Sequence, residues 1–200
     1  MVSTRSRSGG IRYQPWAAVT VEALESAVPW RTFRWYQGQR HYSGTYWSAT
    51  TRSHVRYESR LELARLLFAD FDPWVQCIAA QPFLLESVVE GKLRKHIPDF
   101  LLTAKKDLVV VDVKPRRRLS RPEVALTFAW TRQAVECRGW RYEVWSEPLR
   151  TELENVRFLA GYPPCLAVQS RPPSGDTRRS VGWCRAGGCR RAFCWACRGV

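Results

Sequence analysis

The feature that most restricts the fold is a pair of apolar segments near the middle of the chain, each carrying an acidic residue. Residues 95–103 contain Asp99, directly after a proline, and residues 108–114 are four apolar residues followed by Asp112, a valine and Lys114. The four residues between them are a typical hairpin loop, which predicts adjacent antiparallel strands. If the two residues on either side of the loop are paired with each other, side-chain alternation places Asp99 opposite Asp112, with Lys114 on the same face.

The residues before this hairpin predict a helix and two further strands. Residues 55–71 place apolar side chains at three- and four-residue steps, which predicts an amphipathic helix ended by Pro73. On such a helix Glu58 and Glu62 share a face. Residues 74–90 alternate with a break at Gln81-Pro82, which predicts a strand on each side of that break.

The residues after the hairpin predict a helix and a returning strand. Ser120 and Glu123 have the spacing of a capping box, so we expect them to open a helix that Gly139 ends. Residues 140–145 alternate as a strand, which a right-handed crossover would return parallel to residues 108–114. The predicted fold class is therefore α/β, a mixed sheet flanked by helices.

The predicted meeting of two carboxylates and a lysine indicates a metal-dependent active site. Opposed carboxylates in a half-buried sheet repel each other unless a cation lies between them, and Mg²⁺ (or Mn²⁺) prefers such oxygen ligands together with a phosphate oxygen. A carboxylate of the preceding helix, Glu62 or Glu58, would complete the ligand set. Lys114 would position the attacking water or neutralise developing negative charge. Taken alone, Asp99 is also compatible with the start of a strand, and Asp112-x-Lys114 is also compatible with an exposed salt bridge. The occurrence of both motifs in this order favours a nuclease.

The charge balance predicts a polyanionic partner. Lysine and arginine number 32 against 18 acidic residues, a formal charge of +14, which is more than solubility requires. Residues 30–50 mix aromatic residues with arginines such as Arg34 and Arg40, and this pattern suits either a nucleic-acid surface or a hairpin with its rings on the core. Arg116, Arg117 and Arg118 directly follow the predicted active-site strand, where we expect them to contact DNA phosphates.

The order of these motifs resembles the TnsA-like endonuclease subunit of heteromeric transposases, a member of the PD-(D/E)xK superfamily. The resemblance covers roughly residues 30–160 and is carried by Leu-Glu62-Leu, Pro-Asp99-Phe and Asp112-Val113-Lys114-Pro, followed by a helix and a strand. It implies a restriction-endonuclease-like core (αβββαβ) that cuts the 5′ strand at transposon ends in double-stranded DNA, while a separate DDE-type transposase subunit acts on the 3′ strand.

The resemblance also implies roles for individual residues. Glu62 corresponds to the helix acid, Asp99 to the central metal ligand, Asp112 to the second strand acid and Lys114 to the catalytic lysine, while Val113 would offer its backbone carbonyl to the metal. The chain lacks room for the C-terminal partner-binding domain of larger members. Two other functions fit the same residues: a restriction or DNA-repair endonuclease of this fold, and a non-catalytic DNA-binding subunit.

The domain organisation predicted from the sequence has three parts. Residues 1–29 form a basic, partly flexible lead, residues 30–160 the nuclease domain and residues 161–200 a basic, cysteine-rich tail. The tail cysteines suggest either a zinc site or a disordered extension, and their spacing departs from that of common zinc motifs: Cys184, Cys189, Cys194 and Cys197.

The remaining features predict a cytoplasmic location and no membrane contact. Cys77, Cys137 and Cys165 are scattered and odd in number, which is typical of buried free thiols in a reducing compartment. The chain has no apolar run of spanning length, and its first residues lack a hydrophobic signal core.

Overall fold

The computed structural model describes residues 1–31, 42–105 and 107–160. All of the described residues belong to one compact unit, and the predicted tail, residues 161–200, lies outside the described residues. The described residues form a mixed α/β structure, as predicted, with a short 3-10 helix at Trp16–Ala18. The strands are β1 Val2–Arg5, β2 Ile11–Gln14, β3 Gly44–Ser48, β4 Ser53–Tyr57, β5 Val75–Ala80, β6 Leu84–Val89, β7 Lys92–His96, β8 Phe100–Ala104, β9 Leu108–Val113 and β10 Arg141–Trp145. The α-helices are α1 Val21–Glu25, α2 Arg60–Phe71, α3 Arg116–Leu119, α4 Pro122–Glu136 and α5 Arg150–Ala160.

The first sheet has the strand order β10-β9-β8-β5 and contains the predicted hairpin. β8 and β9 are antiparallel, and Thr103 pairs with Leu108 in the register expected from the loop length. β10 returns parallel to β9, with Tyr142 paired to Val110. Gly139, at φ 72°, precedes β10 in the left-handed conformation that favours glycine. The strand-helix-strand unit that follows the hairpin is therefore confirmed.

Two apolar clusters pack on opposite faces of this sheet, because neighbouring residues of β9 point in opposite directions. Val111 is fully buried in a cluster with Leu66 of α2. Val110 is fully buried in a second cluster with Phe128 and Val135 of α4. Both helices thus cover the sheet, and the uninterrupted valines of β9 reflect burial on both sides.

The second sheet has the order β2-β1-β6-β7 and includes the beginning of the chain. The sequence suggested a partly flexible lead over residues 1–29, whereas Val2 in β1 has no exposed surface and packs in one cluster with Phe83 and Leu24. The first strand is thus integrated into the core because its apolar side chain fills a space beside β6.

The start of α4 differs from the prediction. The N-cap residue is Arg121, which makes no side-chain capping hydrogen bond, and Pro122 occupies the first turn. Ser120 instead ends α3. The capping box predicted for Ser120 and Glu123 is wrong, because proline already has the backbone angle of the first helical position and moves the helix start by one residue.

A two-stranded ribbon of β3 and β4 packs against α2. Residues 55–57, which were predicted to be the first turn of the helix, belong to β4, and α2 begins at Arg60. The helix ends at Phe71, two residues before the proline that the sequence indicated. No helix of the described residues is long and apolar enough to cross a membrane.

Candidate active site

Asp99 lies where the chain passes from the second sheet to the first. β7 ends at His96 and β8 begins at Phe100, so the single strand predicted over residues 95–103 is wrong. Pro98 has no N–H to donate to a ladder, which favours a break at this point. The β8–β9 ladder stops at the pair of Phe100 and Val111, one residue short of the predicted pair between Asp99 and Asp112.

Hydrogen bonds fix Asp99 beside the end of β9. Its N–H donates to the carbonyl of Val111 at 3.1 Å, and its own carbonyl accepts from the N–H of Gln81 at 2.9 Å. The N–H of Val113 donates to Oδ2 of Asp99 at 2.7 Å. The carboxylate is thus held against the strand that carries Asp112 and Lys114.

Asp112 is buried on the side of the sheet that α4 covers. It is 2% exposed, and Nε2 of His96 lies 2.9 Å from Oδ1 and 2.8 Å from Oδ2. The hydroxyl of Tyr142 donates to Oδ2. Burial raises the pKa of Tyr142, and the negative charge of Asp112 raises it further.

Neither His96 nor Tyr142 was predicted to be part of the site. Alternation along the parallel pair β9–β10 places Tyr142 on the face of Asp112, so the sequence held a signal for the tyrosine. His96 belongs to the other sheet, and the pattern of residues along a strand does not predict which residues of another sheet it will contact.

Glu62 is buried and caps its own helix. It is 8% exposed, its Oε2 accepts from the N–H of Glu58 at 2.7 Å, and its Oε1 accepts from Oγ of Ser59 at 2.9 Å. Ser59 Oγ in turn accepts from the N–H of Glu62 at 3.1 Å. Burial raises the pKa of Glu62, the two hydrogen bonds to its carboxylate lower it, and repulsion by Glu58 raises it again.

Glu58 occupies a different environment. It precedes the N-cap Ser59, so the prediction that Glu58 and Glu62 share one helical face is wrong. Its carboxylate accepts from the Arg31 guanidinium at 2.7 Å and from Nε2 of Gln81 at 2.6 Å. Glu58 is thus paired by a cation and an amide, and Glu62 is the glutamate whose charge acts on Asp99.

Asp99 lies in an electrostatic environment that disfavours its charged form. Burial raises its pKa well above the usual value, and repulsion from Glu62 and then from Asp112 raises it further. The hydrogen bond from Val113 and the positive charge of Lys114 act in the opposite direction. Glu62, Asp112 and Lys114 are thus each within electrostatic reach of Asp99, although the structure gives the four residues different hydrogen-bond partners.

Lys114 follows β9 and has a fixed backbone. Its N–H donates to the carbonyl of Trp145 at 2.9 Å, and its carbonyl accepts from Oγ of Ser146 at 2.8 Å. The residue is half-buried. Continuation of the parallel pairing therefore keeps Lys114 at the end of the strand that carries Asp112.

The acidic residues do not form a closed metal site in this conformation. Within residues 1–31, 42–105 and 107–160, no three His, Cys, Asp or Glu side chains are arranged to hold a metal ion. Glu62 is engaged at its helix cap, and Asp112 is engaged by Tyr142 and His96. Of the three acids only Asp99 is partly exposed, and all three offer the oxygen donors that hard divalent cations prefer.

The predicted DNA-contacting arginines divide into two groups. Arg116, Arg117 and Arg118 are exposed on α3, and the N–H of Arg116 donates to Glu147 Oε2 at 2.9 Å. Arg34 and Arg40 lie outside the described residues, as do the tail cysteines Cys184, Cys189, Cys194 and Cys197.

The scattered cysteines were expected to be buried free thiols. Cys77 and Cys137 are free, as expected, but Cys77 is half-buried and Cys137 is exposed. Cys165 lies outside the described residues.

No protein-family model matches the chain, and no curated protein is similar to it. The resemblance to TnsA-like endonucleases stays a prediction from the motifs.

Proposed function

We propose that this protein is a metal-dependent DNA endonuclease and, more narrowly, a TnsA-like endonuclease subunit of a heteromeric transposase. The observation that carries the proposal is the position of Asp99: its carboxylate accepts from the Val113 N–H at 2.7 Å, so it lies beside the end of the strand that carries Asp112 and Lys114. Burial and the charges of Glu62 and Asp112 raise the pKa of Asp99, which agrees with a group of acids at this point. Acids that destabilise one another in this way are typical of sites that act on a charged substrate or hold a cation.

The order of elements supports the same proposal. Helix α2 is followed by β5, β8 and β9 of one sheet, then by α4 and the parallel strand β10, with the β6–β7 hairpin inserted after β5. This is the order αβββαβ that the resemblance implies for a restriction-endonuclease-like core. The fold alone does not define a function, so the argument depends on the acids that it carries.

A divalent cation would relieve the repulsion around Asp99. Asp99 is partly exposed and would be the first ligand that an ion from solvent meets, with Glu62, Asp112 and the Val113 carbonyl as the other proposed ligands. A bound Mg²⁺ or Mn²⁺ would supply an activated water and stabilise charge on a phosphate oxygen. Lys114 would neutralise negative charge as it develops at the scissile phosphate.

The protein surface next to these acids suits a DNA substrate. Arg116, Arg117 and Arg118 follow Lys114 after one proline and are exposed, so they would contact phosphates on either side of the cut. Such contacts would hold the duplex in place, and the acids would hold the cation that activates the attacking water. The DDE-type transposase is the partner that this proposal predicts.

The proposal is tested with the purified full chain in two assays. The first follows nicking of plasmid DNA that carries transposon ends, with Mg²⁺ or Mn²⁺ against EDTA, and with and without the transposase subunit. The second measures Mn²⁺ binding by calorimetry, which needs no partner. We expect Asp99→Asn and Lys114→Ala to lower the cleavage rate by about 100-fold or more, and Asp99→Asn also to abolish Mn²⁺ binding.

Asp107→Asn is the matched control, because Asp107 is an exposed aspartate of the β8–β9 loop, about 3.9 Å from the Arg141 guanidinium. It should retain both cleavage and Mn²⁺ binding. If Asp99→Asn binds Mn²⁺ and cuts DNA as the unsubstituted protein does, the proposed site is wrong. If DNA binding occurs without any metal-dependent cutting in the presence of the partner, the protein is a DNA-binding subunit instead.

A further inference from the structure

The outer face of the β3–β4 ribbon carries an exposed aromatic pair. Trp47 pairs with His54 across the two strands, and their rings meet edge to face with centroids 5.1 Å apart. Trp47 is 56% exposed, which is unusual for the largest apolar side chain. Arg52 at the turn is exposed, and Arg56 on the same strand as His54 is half-buried.

The ribbon does not need this pair for its attachment to the protein. Its inner face is buried through Ser48, Val55 and Tyr57, and Tyr46 donates to Asp70 at 2.7 Å. Because alternation separates the two faces, the outer side chains are left to contact something other than the core. A cross-strand pair contributes a fraction of a kcal/mol to about 1 kcal/mol to a hairpin, which does not account for a tryptophan left in water.

The charge of the ribbon identifies the kind of partner. Residues 42–57 contain Arg52, Arg56 and His54 but no aspartate or glutamate. The nearby carboxylate of Asp70 accepts four hydrogen bonds on the inner side of the ribbon, so its charge is already compensated. An exposed ring among cations, without acids, complements nucleic acid, where bases stack on aromatic side chains and phosphates pair with arginines.

The ribbon also lies within reach of DNA bound at the candidate active site. β4 leads through Glu58 and Ser59 directly into α2, which carries Glu62. Trp47 is adjacent to Ser48, whose Oγ donates to Oδ1 of Asp70 at 2.7 Å. Asp70 lies on α2 after Glu62, about 12 Å further along the helix, which corresponds to about three to four base steps of one DNA strand. A duplex that is bound at the acids and runs along α2 would thus reach the ribbon.

We propose that the outer face of the β3–β4 ribbon binds DNA, with Trp47 stacking on a base exposed at a break or distortion in the duplex. His54 supports the ring from the neighbouring strand, and Arg52 and Arg56 contact the flanking phosphates. An intact duplex hides the faces of its bases, so the ring gains most where a base is unpaired. The location near the scissile phosphate depends on the proposed function, whereas DNA binding by the ribbon does not.

The test compares binding of the full chain to an intact 30-base-pair duplex and to the same duplex with a single-nucleotide gap, by fluorescence anisotropy in EDTA. We expect tighter binding to the gapped duplex, and Trp47→Ala should weaken that binding about ten-fold and remove the preference. Trp74→Ala is the matched control, because Trp74 is 66% exposed and lies outside the ribbon. Arg52→Gln should lower the salt dependence of binding by about one unit in the log–log slope.

Circular dichroism and thermal unfolding establish that each variant is folded before binding is measured. If Trp47→Ala and Trp74→Ala bind both duplexes equally well, the ribbon does not contact DNA and the proposal is overturned. Because EDTA prevents metal-dependent cutting, a failure of the proposed nuclease activity leaves this result unaffected. A protein that cuts DNA but shows no effect of Trp47→Ala would retain the proposed function and lose this inference.

Discussion

Replacing Asp70 by asparagine tests how the β3–β4 ribbon is fastened to the end of α2. Oδ1 of Asp70 accepts from Ser48 Oγ at 2.7 Å and from Thr50 N at 2.9 Å. Oδ2 accepts from Tyr46 Oη at 2.7 Å and from Ala49 N at 3.0 Å. Because each oxygen receives one backbone N–H, either orientation of an asparagine amide points its NH₂ group at a backbone donor.

The cost follows from the lost hydrogen bonds. A hydrogen bond to a charged group contributes about 1.5–3 kcal/mol, so losing one and weakening the others should lower the free energy of unfolding by about 3 kcal/mol. For a chain of this size that corresponds to a fall in Tm of about 6–12 °C. Urea unfolding at pH 7, followed by circular dichroism, measures the difference.

The effect also depends on pH in a defined direction. Burial alone would raise the pKa of Asp70, but hydrogen bonds from Ser48, Thr50 and Tyr46 outweigh it and hold the pKa below the usual value. A pKa lower in the folded than in the unfolded protein gives stability that is present above the unfolded pKa of about 3.9 and is lost as the pH falls through the folded value. The difference between Asp70→Asn and the unsubstituted protein should thus be constant from pH 7 to about 5 and narrow below about 4.

Asp72→Asn is the matched control, since Asp72 is an exposed aspartate two residues away whose carboxylate accepts one hydrogen bond, from Trp74 N at 2.9 Å. We expect it to change the free energy of unfolding by less than about 1 kcal/mol. Equal effects of the two substitutions, or a loss for Asp70→Asn that persists unchanged at pH 3, would refute the reasoning.

Three further substitutions, with Gly10→Ala as a comparison for the last of them, test a helix cap and two glycine positions by urea unfolding. Ser59→Ala removes the N-cap of α2 and should cost about 1 kcal/mol, and an unchanged midpoint would contradict the cap. Gly44→Ala should cost about 1–3 kcal/mol, because an added Cβ would lie 2.5 Å from the hydroxyl of Tyr57; stability equal to that of the unsubstituted protein would show that the ring moves aside freely. Gly139→Ala should lower the free energy of unfolding by about 1–2 kcal/mol, because the φ of Gly139 is +72°. Gly10→Ala should lower it less, because an added Cβ there lies at an ordinary 3.5 Å from Ser6 Oγ. A larger loss for Gly10→Ala than for Gly139→Ala would contradict the argument.

The sequence predicted the central sheet well where local rules determine it. A four-residue loop and two apolar segments define the β8–β9 hairpin, and the register of Thr103 with Leu108 follows. The helix and parallel strand after it were also predicted, because Gly139 and the alternation of residues 140–145 mark their boundary. In these segments local geometry and burial favour the same structure.

The prediction failed where two local rules compete. Ser59 and Glu62 have the capping-box spacing, but apolar periodicity extending back to residue 55 placed the helix start too early. At Ser120 the same spacing is present without the cap, because the following Pro122 takes the first helical position. In both places the sequence contained the signals for a helix start, but two signals overlapped. Local sequence rules did not decide which of the two residues begins the helix.

The membership of the candidate site stays a prediction, and its contacts were not predicted. The charges of Glu62, Asp112 and Lys114 each act on Asp99. His96 could not be foreseen as a partner of Asp112, because it reaches the carboxylate from another sheet, whereas alternation along the β9–β10 pair held a signal for Tyr142 that was not used. Long-range approach of this kind is decided by how the sheets pack.

The hydrogen bond between His96 and Asp112 has a consequence for the dynamics of the β6–β7 hairpin. β7 is the edge strand of its sheet, and edge strands ordinarily exchange their amide hydrogens early. Its last residue, His96, is however hydrogen-bonded to the buried Asp112 of the neighbouring sheet. His96 is followed by the short connection that carries Asp99. Slow amide exchange should thus extend from β9 into the end of β7. A displacement of the β6–β7 hairpin would also move the connection that carries Asp99 and the imidazole that contacts Asp112.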